Sequence, residues 1–180
     1  MSDNFIITGT SGTGKSALIE EIRLRGYSAF TEAQREVLAD QLAIDGPALP
    51  SKNPNLFLEA LLKHCERNID DSTAAVGPSF FDRGIPDIGA YAIRFELDPT
   101  PYLQVRQNHR YNQHVFMLAP WQEIFATDKF RGMSFDEYTQ FHQVIQQCYS
   151  DSGYKIVEVP RASVQARADF VLRTVSNFST

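Results

Sequence analysis

Near the beginning of the chain stands Gly9-Thr10-Ser11-Gly12-Thr13-Gly14-Lys15-Ser16, which matches the pattern G-x-x-x-x-G-K-[ST] at every fixed position. This pattern is typical of a loop that binds the phosphates of a nucleoside triphosphate. Glycines allow backbone conformations that side chains forbid, so successive N–H groups can face one anion. We expect Lys15 to neutralise the β- and γ-phosphates and the Ser16 hydroxyl to bind Mg²⁺. All eight residues from Gly9 to Ser16 are predicted to contact the nucleotide.

The residues on either side of this loop carry the periodicity of a strand and of a helix. The run Phe5-Ile6-Ile7-Thr8 is apolar and β-favouring, and Leu18, Ile19 and Ile22 follow the loop at helical spacing. A strand, a loop and a helix in this order place the phosphates at a helix N-terminus, where N–H groups favour an anion. A chance match in a chain of this length is expected less than about 1% of the time. We therefore interpret the loop as a nucleotide-binding site, in which Lys15 is expected to face solvent when no nucleotide is bound.

The composition fits one globular domain. The 180 residues are 43% hydrophobic and 22% charged, so residues 1–180 are predicted to form a single nucleotide-binding domain with a lid-like segment at about 119–133. The net charge of −5 argues against a general nucleic-acid partner. No apolar run approaches the roughly 20 residues of a membrane-spanning helix, and no leader-like segment precedes the first strand. We therefore expect a cytoplasmic protein with no membrane partner.

Segments with strand and helix character alternate along the chain, which favours an α/β fold: a three-layer P-loop NTPase domain with a five-stranded, mainly parallel sheet. Strands are predicted at 5–8, 27–31, 79–82, 114–118 and 154–159. Helices are predicted at 16–24, 32–44, 56–69, 86–96, 134–150 and 163–175. Because the phosphate-binding loop follows the first strand, functional side chains should gather at the carboxyl ends of the other strands.

The third strand ends in Asp82-Arg83, which is the strongest of these candidate positions. A carboxylate at the end of a strand beside a phosphate-binding loop suits the coordination of Mg²⁺, and Arg83 suits a bidentate contact to phosphate. We therefore predict metal binding by Ser16 and Asp82 and catalytic roles for Lys15, Asp82 and Arg83. The structural alternative is that Asp82 only caps the next helix and that Arg83 pairs with it.

The second strand is followed by Thr31-Glu32-Ala33-Gln34-Arg35, which holds a second candidate pair. Glu32 could reach the hydroxyl of an acceptor beside the γ-phosphate and act as a general base. Arg35 lies one helical turn further and could bind the same substrate. The alternative is that Glu32 is simply an acidic residue in the first turn of a helix, where negative charge is favoured.

Two loops after the fourth and fifth strands complete the candidate site. The segment from Ala119 to Gly132 is irregular and contains Arg131, which suits a lid that covers the transferring phosphate and excludes water. The alternative is that Arg131 is simply a charged side chain exposed to solvent. After the last strand, Val159-Pro160-Arg161-Ala162 could pack against the nucleobase through Pro160, although an ordinary strand-to-helix turn would have a similar sequence.

Several runs resemble a widespread bacterial family of small P-loop proteins known as AAA-type ATPases. They are Phe80-Phe81-Asp82-Arg83-Gly84-Ile85-Pro86-Asp87, Phe116-Met117-Leu118-Ala119-Pro120-Trp121, Gly153-Tyr154-Lys155-Ile156-Val157-Glu158-Val159-Pro160 and Glu32-Ala33-Gln34-Arg35. The family is similar to the P-loop domain of the nicotinamide-riboside kinase part of the bifunctional NAD-biosynthesis regulator, and more loosely to nucleoside and nucleotide kinases. The resemblance implies that Asp82 with Arg83, Glu32 and Arg131 correspond to the acidic–arginine pair, the acidic residue and the lid arginine of those kinases.

Two functions follow from these residues. The first is a phosphotransferase that moves the γ-phosphate of ATP, with Mg²⁺ as cofactor, to an unidentified small metabolite. The second is an ATP or GTP hydrolase, or a nucleotide-dependent switch that controls a partner protein. An accessory ATPase of a toxin or defence system is a weaker third possibility. Glu32 and Arg35, on the acceptor side, favour the kinase.

Overall fold

A five-stranded sheet forms the centre of the protein. The computed structural model describes residues 3–104, 111–125 and 134–178. Its strands are β1 (Asn4–Thr8), β2 (Ser28–Phe30), β3 (Ser79–Asp82), β4 (His114–Met117) and β5 (Lys155–Glu158). They lie in the order β2-β3-β1-β4-β5, and all four pairings are parallel. The prediction of a mainly parallel five-stranded α/β sheet is confirmed.

Parallel neighbours require crossover connections, and helices supply most of them. The helices are α1 (Lys15–Leu24), α2 (Ala33–Ala43), α3 (Pro54–Asp71), α4 (Ile85–Arg94), α5 (Thr100–Leu103), α6 (Phe135–Asp151) and α7 (Val164–Phe178). Helix α3 begins two residues before the predicted position because Asn53 caps it: its Oδ1 accepts a hydrogen bond of 3.1 Å from the Leu56 N–H. Helix α6 begins after the predicted Ser134 capping box.

Helices cover both faces of the sheet. On one face α1 packs against α7, and the core contains Leu18 and Phe116. On the other face α4 packs against α3 and α6, and the core contains Phe57 and Ile88. Because both faces are covered, the central strands are apolar on each side rather than alternating with polar residues. Among the described residues, no helix is both long enough and apolar enough to cross a membrane.

The strand register brings the candidate residues to one edge of the sheet. Strand β1 lies between β3 and β4, with Ile7 opposite Asp82 and Thr8 opposite Met117. The carboxyl end of β3 therefore lies directly beside the start of the phosphate-binding loop. Strand β2 pairs with the other side of β3, so the loop that carries Glu32 lies at the same edge.

The two faces of α1 allow a test of this packing. Leu18 is fully buried whereas Leu24, on the same helix, is 72% exposed. We expect Leu18→Ala to lower the free energy of unfolding by about 2–5 kcal/mol, because it removes buried methyl groups and leaves a cavity. Leu24→Ala is the matched control and should change it by less than about 0.5 kcal/mol. Urea denaturation of the two variants measures the difference, and equal losses would contradict the packing.

Candidate nucleotide-binding site

The phosphate-binding loop adopts a backbone that requires its glycines. Gly9, Gly12 and Gly14 have φ angles of 137°, 82° and 85°, which side chains disfavour. A Cβ atom at Gly9 would also collide with the carbonyl oxygen of Leu118. Helix α1 begins at Lys15 directly after the last of these glycines. The loop therefore ends at a helix N-terminus, as the strand–loop–helix pattern predicts.

Lys15 lies inside the loop instead of facing solvent. Its side chain is buried, and Nζ donates a hydrogen bond of 2.7 Å to the carbonyl oxygen of Thr10. Burial, together with the nearby charge of Arg83, lowers the pKa of Lys15 to about 8, although three neighbouring carboxylates act in the opposite direction. The expectation of a solvent-facing Lys15 is wrong, because the loop's own carbonyl supplies a partner for the ammonium group.

Arg83 connects the third strand to the phosphate-binding loop. Its Nε donates to Glu32 Oε1 at 2.6 Å, and Nη1 donates to the Gly9 carbonyl oxygen at 2.8 Å and to Asp87 Oδ1 at 3.2 Å. Arg83 itself has a φ of 75°, in the left-handed region that non-glycine residues rarely occupy. Such a conformation costs of order 1 kcal/mol and is found mainly where surrounding structure enforces it, often at functional sites.

Glu32 pairs with Arg83 and does not cap α2. It occupies the position before the helix, but its side chain makes no hydrogen bond to the backbone of the first turn. It pairs instead with Arg83 and, through Oε2 at 3.2 Å, with Arg35. Burial alone would raise the pKa of Glu32, but the charges of Arg83 and Lys15 outweigh it and hold the pKa at about 2. Glu32 is therefore an ionised carboxylate and a weak proton acceptor.

Asp82 is a second buried carboxylate beside Lys15. Its Oδ1 is inaccessible to solvent and has no hydrogen-bond partner among the described residues. Burial raises the pKa of Asp82, with Lys15 acting in the opposite direction. Neither the capping of α4 nor the pairing of Arg83 uses this carboxylate, so the structural alternative for Asp82 is wrong. A carboxylate oxygen without a partner, on a residue whose charge acts on Lys15 of the loop, fits the oxygen ligands that Mg²⁺ prefers.

Asp87, and not Asp82, caps α4. It was not among the residues predicted from the sequence. Its carboxylate is buried in α4 and accepts hydrogen bonds from the Gly84 N–H at 3.0 Å, the Tyr149 hydroxyl at 2.5 Å and the Thr8 hydroxyl at 2.7 Å. Together with the contact to Arg83, these bonds tie β1, α4 and α6 to one carboxylate. The position three residues after Gly84, in the first turn of a helix, is the signal that could have identified it.

A cavity of about 780 Å³ joins the phosphate-binding loop to α2. Its polar end includes Lys15, Ser16, Glu32 and Arg83. The rest of its lining includes the predicted substrate residue Arg35, whose side chain is largely exposed. This volume lies within the range of about 300–1,000 Å³ that small-molecule sites have. Eight of the predicted site residues therefore line one concave space: Ser11, Gly12, Gly14, Lys15, Ser16, Glu32, Arg35 and Arg83.

Two arginines that follow β5, Arg161 and Arg167, contact the segments after β1 and β4. Arg167 is buried, donates through Nη1 to the Thr13 carbonyl oxygen at 3.1 Å, and lies 5.9 Å from the centre of the Trp121 ring. Arg161 donates to the Pro120 carbonyl oxygen at 2.7 Å. Pro160, the predicted nucleobase contact, is exposed directly before Arg161. Arg167 could not be predicted as a site residue, because nothing in the sequence pattern of α7 distinguishes it from other helix-surface arginines.

Arg131, the predicted lid arginine, lies outside the described residues, as does the whole of the predicted lid-like segment from 126 to 133.

The loop, the parallel sheet and the helices on both of its faces define a P-loop NTPase fold. The sequence model of the AAA_28 family, described as an AAA domain, matches residues 4–167. The chain belongs to this family. A comparison with curated protein sequences gives no significant match.

Solved structures of other proteins, two kinases among them, share the fold. The chain is similar to NadR protein in complex with NR, with 15% identity and a TM-score of 0.68, covering 98% of this chain and 50% of that chain. The chain thus spans about half the length of that relative. It is also similar to deoxyadenosine kinase from M. mycoides (15% identity, TM-score 0.63, 97% and 99% covered). Shikimate kinase from Aquifex aeolicus shares 14% identity with a TM-score of 0.60, covering 98% of each chain.

The lowered pKa of Lys15 predicts a pH dependence of nucleotide affinity. In the free protein the pKa is about 8, and the phosphates of a bound nucleotide would raise it. Below the free value Lys15 is charged in both states; above it, binding must take up a proton, so affinity should fall by up to tenfold per pH unit. Calorimetry with ATP and Mg²⁺ at about pH 7 and about pH 9, in buffers of different ionisation enthalpy, measures this uptake. No uptake at the higher pH would contradict the assignment.

The burial of the Asp82 carboxylate predicts that its removal lowers activity without lowering stability. Asp82→Asn removes a charge that burial disfavours, so its unfolding temperature should equal or exceed that of the parent. Turnover of ATP should nevertheless fall about 100-fold, because the carboxylate would help to hold the positive charge of Mg²⁺ at the phosphates. Thermal unfolding and Mg²⁺-dependent turnover test both parts. A variant with the turnover and Mg²⁺ dependence of the parent would show that Asp82 has no role in the reaction.

Proposed function

We propose that this protein is a phosphotransferase that uses ATP and Mg²⁺ to phosphorylate a hydroxyl group of a small metabolite. The observation that carries the proposal is the ionised Glu32–Arg83 pair, which lies beside Lys15 and opens into a cavity large enough for a second substrate. A hydrolase requires space only for water at this position. A cavity of about 780 Å³ that ends at an ion pair is better suited to a second small molecule than to water alone.

The phosphate-binding loop would bind the triphosphate through its N–H groups and the Lys15 ammonium. For this Lys15 must exchange the Thr10 carbonyl oxygen for phosphate oxygens. Ser16 and Asp82 would hold Mg²⁺, which neutralises phosphate charge when it is bound. The left-handed turn at Arg83 and its bond to the Gly9 carbonyl oxygen hold the guanidinium group against the loop, where it would stabilise negative charge in the transition state.

Glu32 would orient the acceptor rather than remove its proton early. A carboxylate with a pKa of about 2 is too acidic to deprotonate an alcohol before the phosphoryl group moves. It can nevertheless accept a hydrogen bond from the acceptor hydroxyl and direct that oxygen at the γ-phosphate. Phosphoryl transfer has a loose transition state in which positioning and electrostatics supply most of the catalysis, so this role is sufficient. The proton is then taken up late, as the new bond forms.

A substitution at Glu32 separates the two candidate functions. In Glu32→Gln, transfer of phosphate to an acceptor should fall about 100-fold, because the amide accepts the hydroxyl hydrogen bond poorly and carries no charge. ATP affinity should change little, since Gly9 and Asp87 still hold Arg83. Glu36→Gln, one turn further along α2, is the matched control because Glu36 does not line the cavity.

Single-turnover reactions with labelled ATP and a pool of metabolites, together with an ATP titration, measure these effects. A labelled product other than free phosphate, formed by the parent and the Glu36 variant but not by the Glu32 variant, supports the proposal. If all three proteins release only free phosphate at one slow rate, the protein is a hydrolase or a switch and the phosphotransferase proposal is wrong.

A further inference from the structure

Helix α2 has apolar residues on two sides, although only one side packs against the core. Ala33 and Val37 are buried against the sheet. Leu38 is half-buried at the edge of this core, and Leu42, four residues later on the same side of the helix, is 67% exposed. A single exposed leucine is common on protein surfaces, but Leu42 lies beside other apolar side chains at the cavity, and contiguous exposed apolar patches often mark binding sites.

The second apolar side of α2 forms the far wall of the cavity beside the phosphate-binding loop. Leu38, Ala39 and Leu42 line this wall together with Ile124, which lies in the described part of the lid-like segment and is 39% exposed. The cavity therefore has a charged end at the loop and an apolar end at α2. A ligand that fills the cavity must therefore have a polar group at one end and an apolar body at the other.

The charges near the cavity balance once Lys15 is assigned to the triphosphate. Among the described residues that line the cavity, two further cations remain, Arg35 and Arg83. Glu32 pairs with both of them, and Asp87 makes a second pair with Arg83. Two cations therefore face two carboxylates, and neither arginine lacks an acidic partner. A second anionic ligand would have to displace Glu32 or lie next to it.

From this division we propose that the acceptor is an uncharged hydroxyl compound with an apolar, ring-sized body, which packs against Leu38, Leu42 and Ile124. Its hydroxyl group lies at Glu32, and the oxygen forms a bond to the γ-phosphorus as the bond from that phosphorus to the bridging oxygen of ADP breaks. The hydroxyl proton passes to the carboxylate as the new bond forms. The inference rests on the proposed phosphotransferase function and excludes monophosphates and carboxylic acids as the preferred acceptors.

A fractionated metabolite extract tests the charge of the acceptor. An extract is separated by anion exchange into bound and unbound fractions, and the unbound fraction is separated further on a reversed-phase resin. Each fraction is incubated with the protein and labelled ATP, with purified nucleosides and nucleoside monophosphates as reference acceptors. We expect labelled product from the uncharged fraction that the reversed-phase resin retains.

Two surface variants then test the apolar wall with the purified acceptor. Leu42→Ser should raise the acceptor KM about tenfold or more and leave the ATP KM unchanged, because an apolar contact to one substrate is lost. Ile44→Ser is the matched control: Ile44 is 71% exposed at the end of the same helix but does not line the cavity, so neither KM should change. Both sites are on the surface, and both variants should fold like the parent.

The possible results distinguish this inference from the function on which it rests. Transfer only to anionic compounds, or an acceptor KM that Leu42→Ser leaves unchanged, would overturn the inference while the phosphotransferase function stands. The absence of transfer from every fraction, with release of free phosphate only, would overturn both.

Discussion

The guanidinium group of Arg83 is the constraint on which the arrangement of the site depends. It bridges three segments of the chain: the phosphate-binding loop through the Gly9 carbonyl oxygen, the residues after β2 through Glu32 and the first turn of α4 through Asp87. A planar group with donors in fixed directions can satisfy all three at once, whereas a lysine ammonium group cannot match that geometry. The backbone at Arg83 is left-handed, a conformation that persists only where the surrounding contacts hold it.

This arrangement concentrates charge where water is scarce. Lys15, Asp82, Arg83 and Asp87 are all buried at one edge of the sheet, and Glu32 is nearly so. Taking charges out of water is unfavourable unless each is paired, and most of these are. The unpaired oxygen of Asp82 is the exception, and the lowered pKa of Lys15 is a second sign of the same strain. A fold selected only for stability would have replaced these groups with apolar ones, so their presence supports a site built for chemistry.

The fold was largely predictable because its signals are local. The strand ending in Asp82, the Ser134 capping box and the phosphate-binding loop each depend on a few consecutive residues, and the structure contains all three. The short helix α5 was not predicted, since four residues with a proline carry no usable periodicity. At the site, sequence indicated that Glu32 and Arg83 lie at the same edge of the sheet, but not that they form an ion pair.

Asp87 and Arg167 show the limit of that reasoning. Both act through contacts across the fold, Asp87 with Thr8 and Tyr149 and Arg167 with Thr13, and sequence separations of this size leave no pattern to read. Lys15 shows a different limit. Its side chain was correctly assigned to the loop, but its burial depends on a hydrogen bond to a loop carbonyl that the motif does not specify.

The exposed side of α2 has a consequence for how such proteins diverge. Residues that hold the fold lie on the buried side of this helix, at Ala33 and Val37, while the side that faces the cavity contributes little to stability. Selection can therefore exchange side chains such as Leu42 almost freely without endangering the fold. A lineage with this architecture can acquire a new ligand through a few neutral steps on one helix face, while the buried cluster around Arg83 stays fixed.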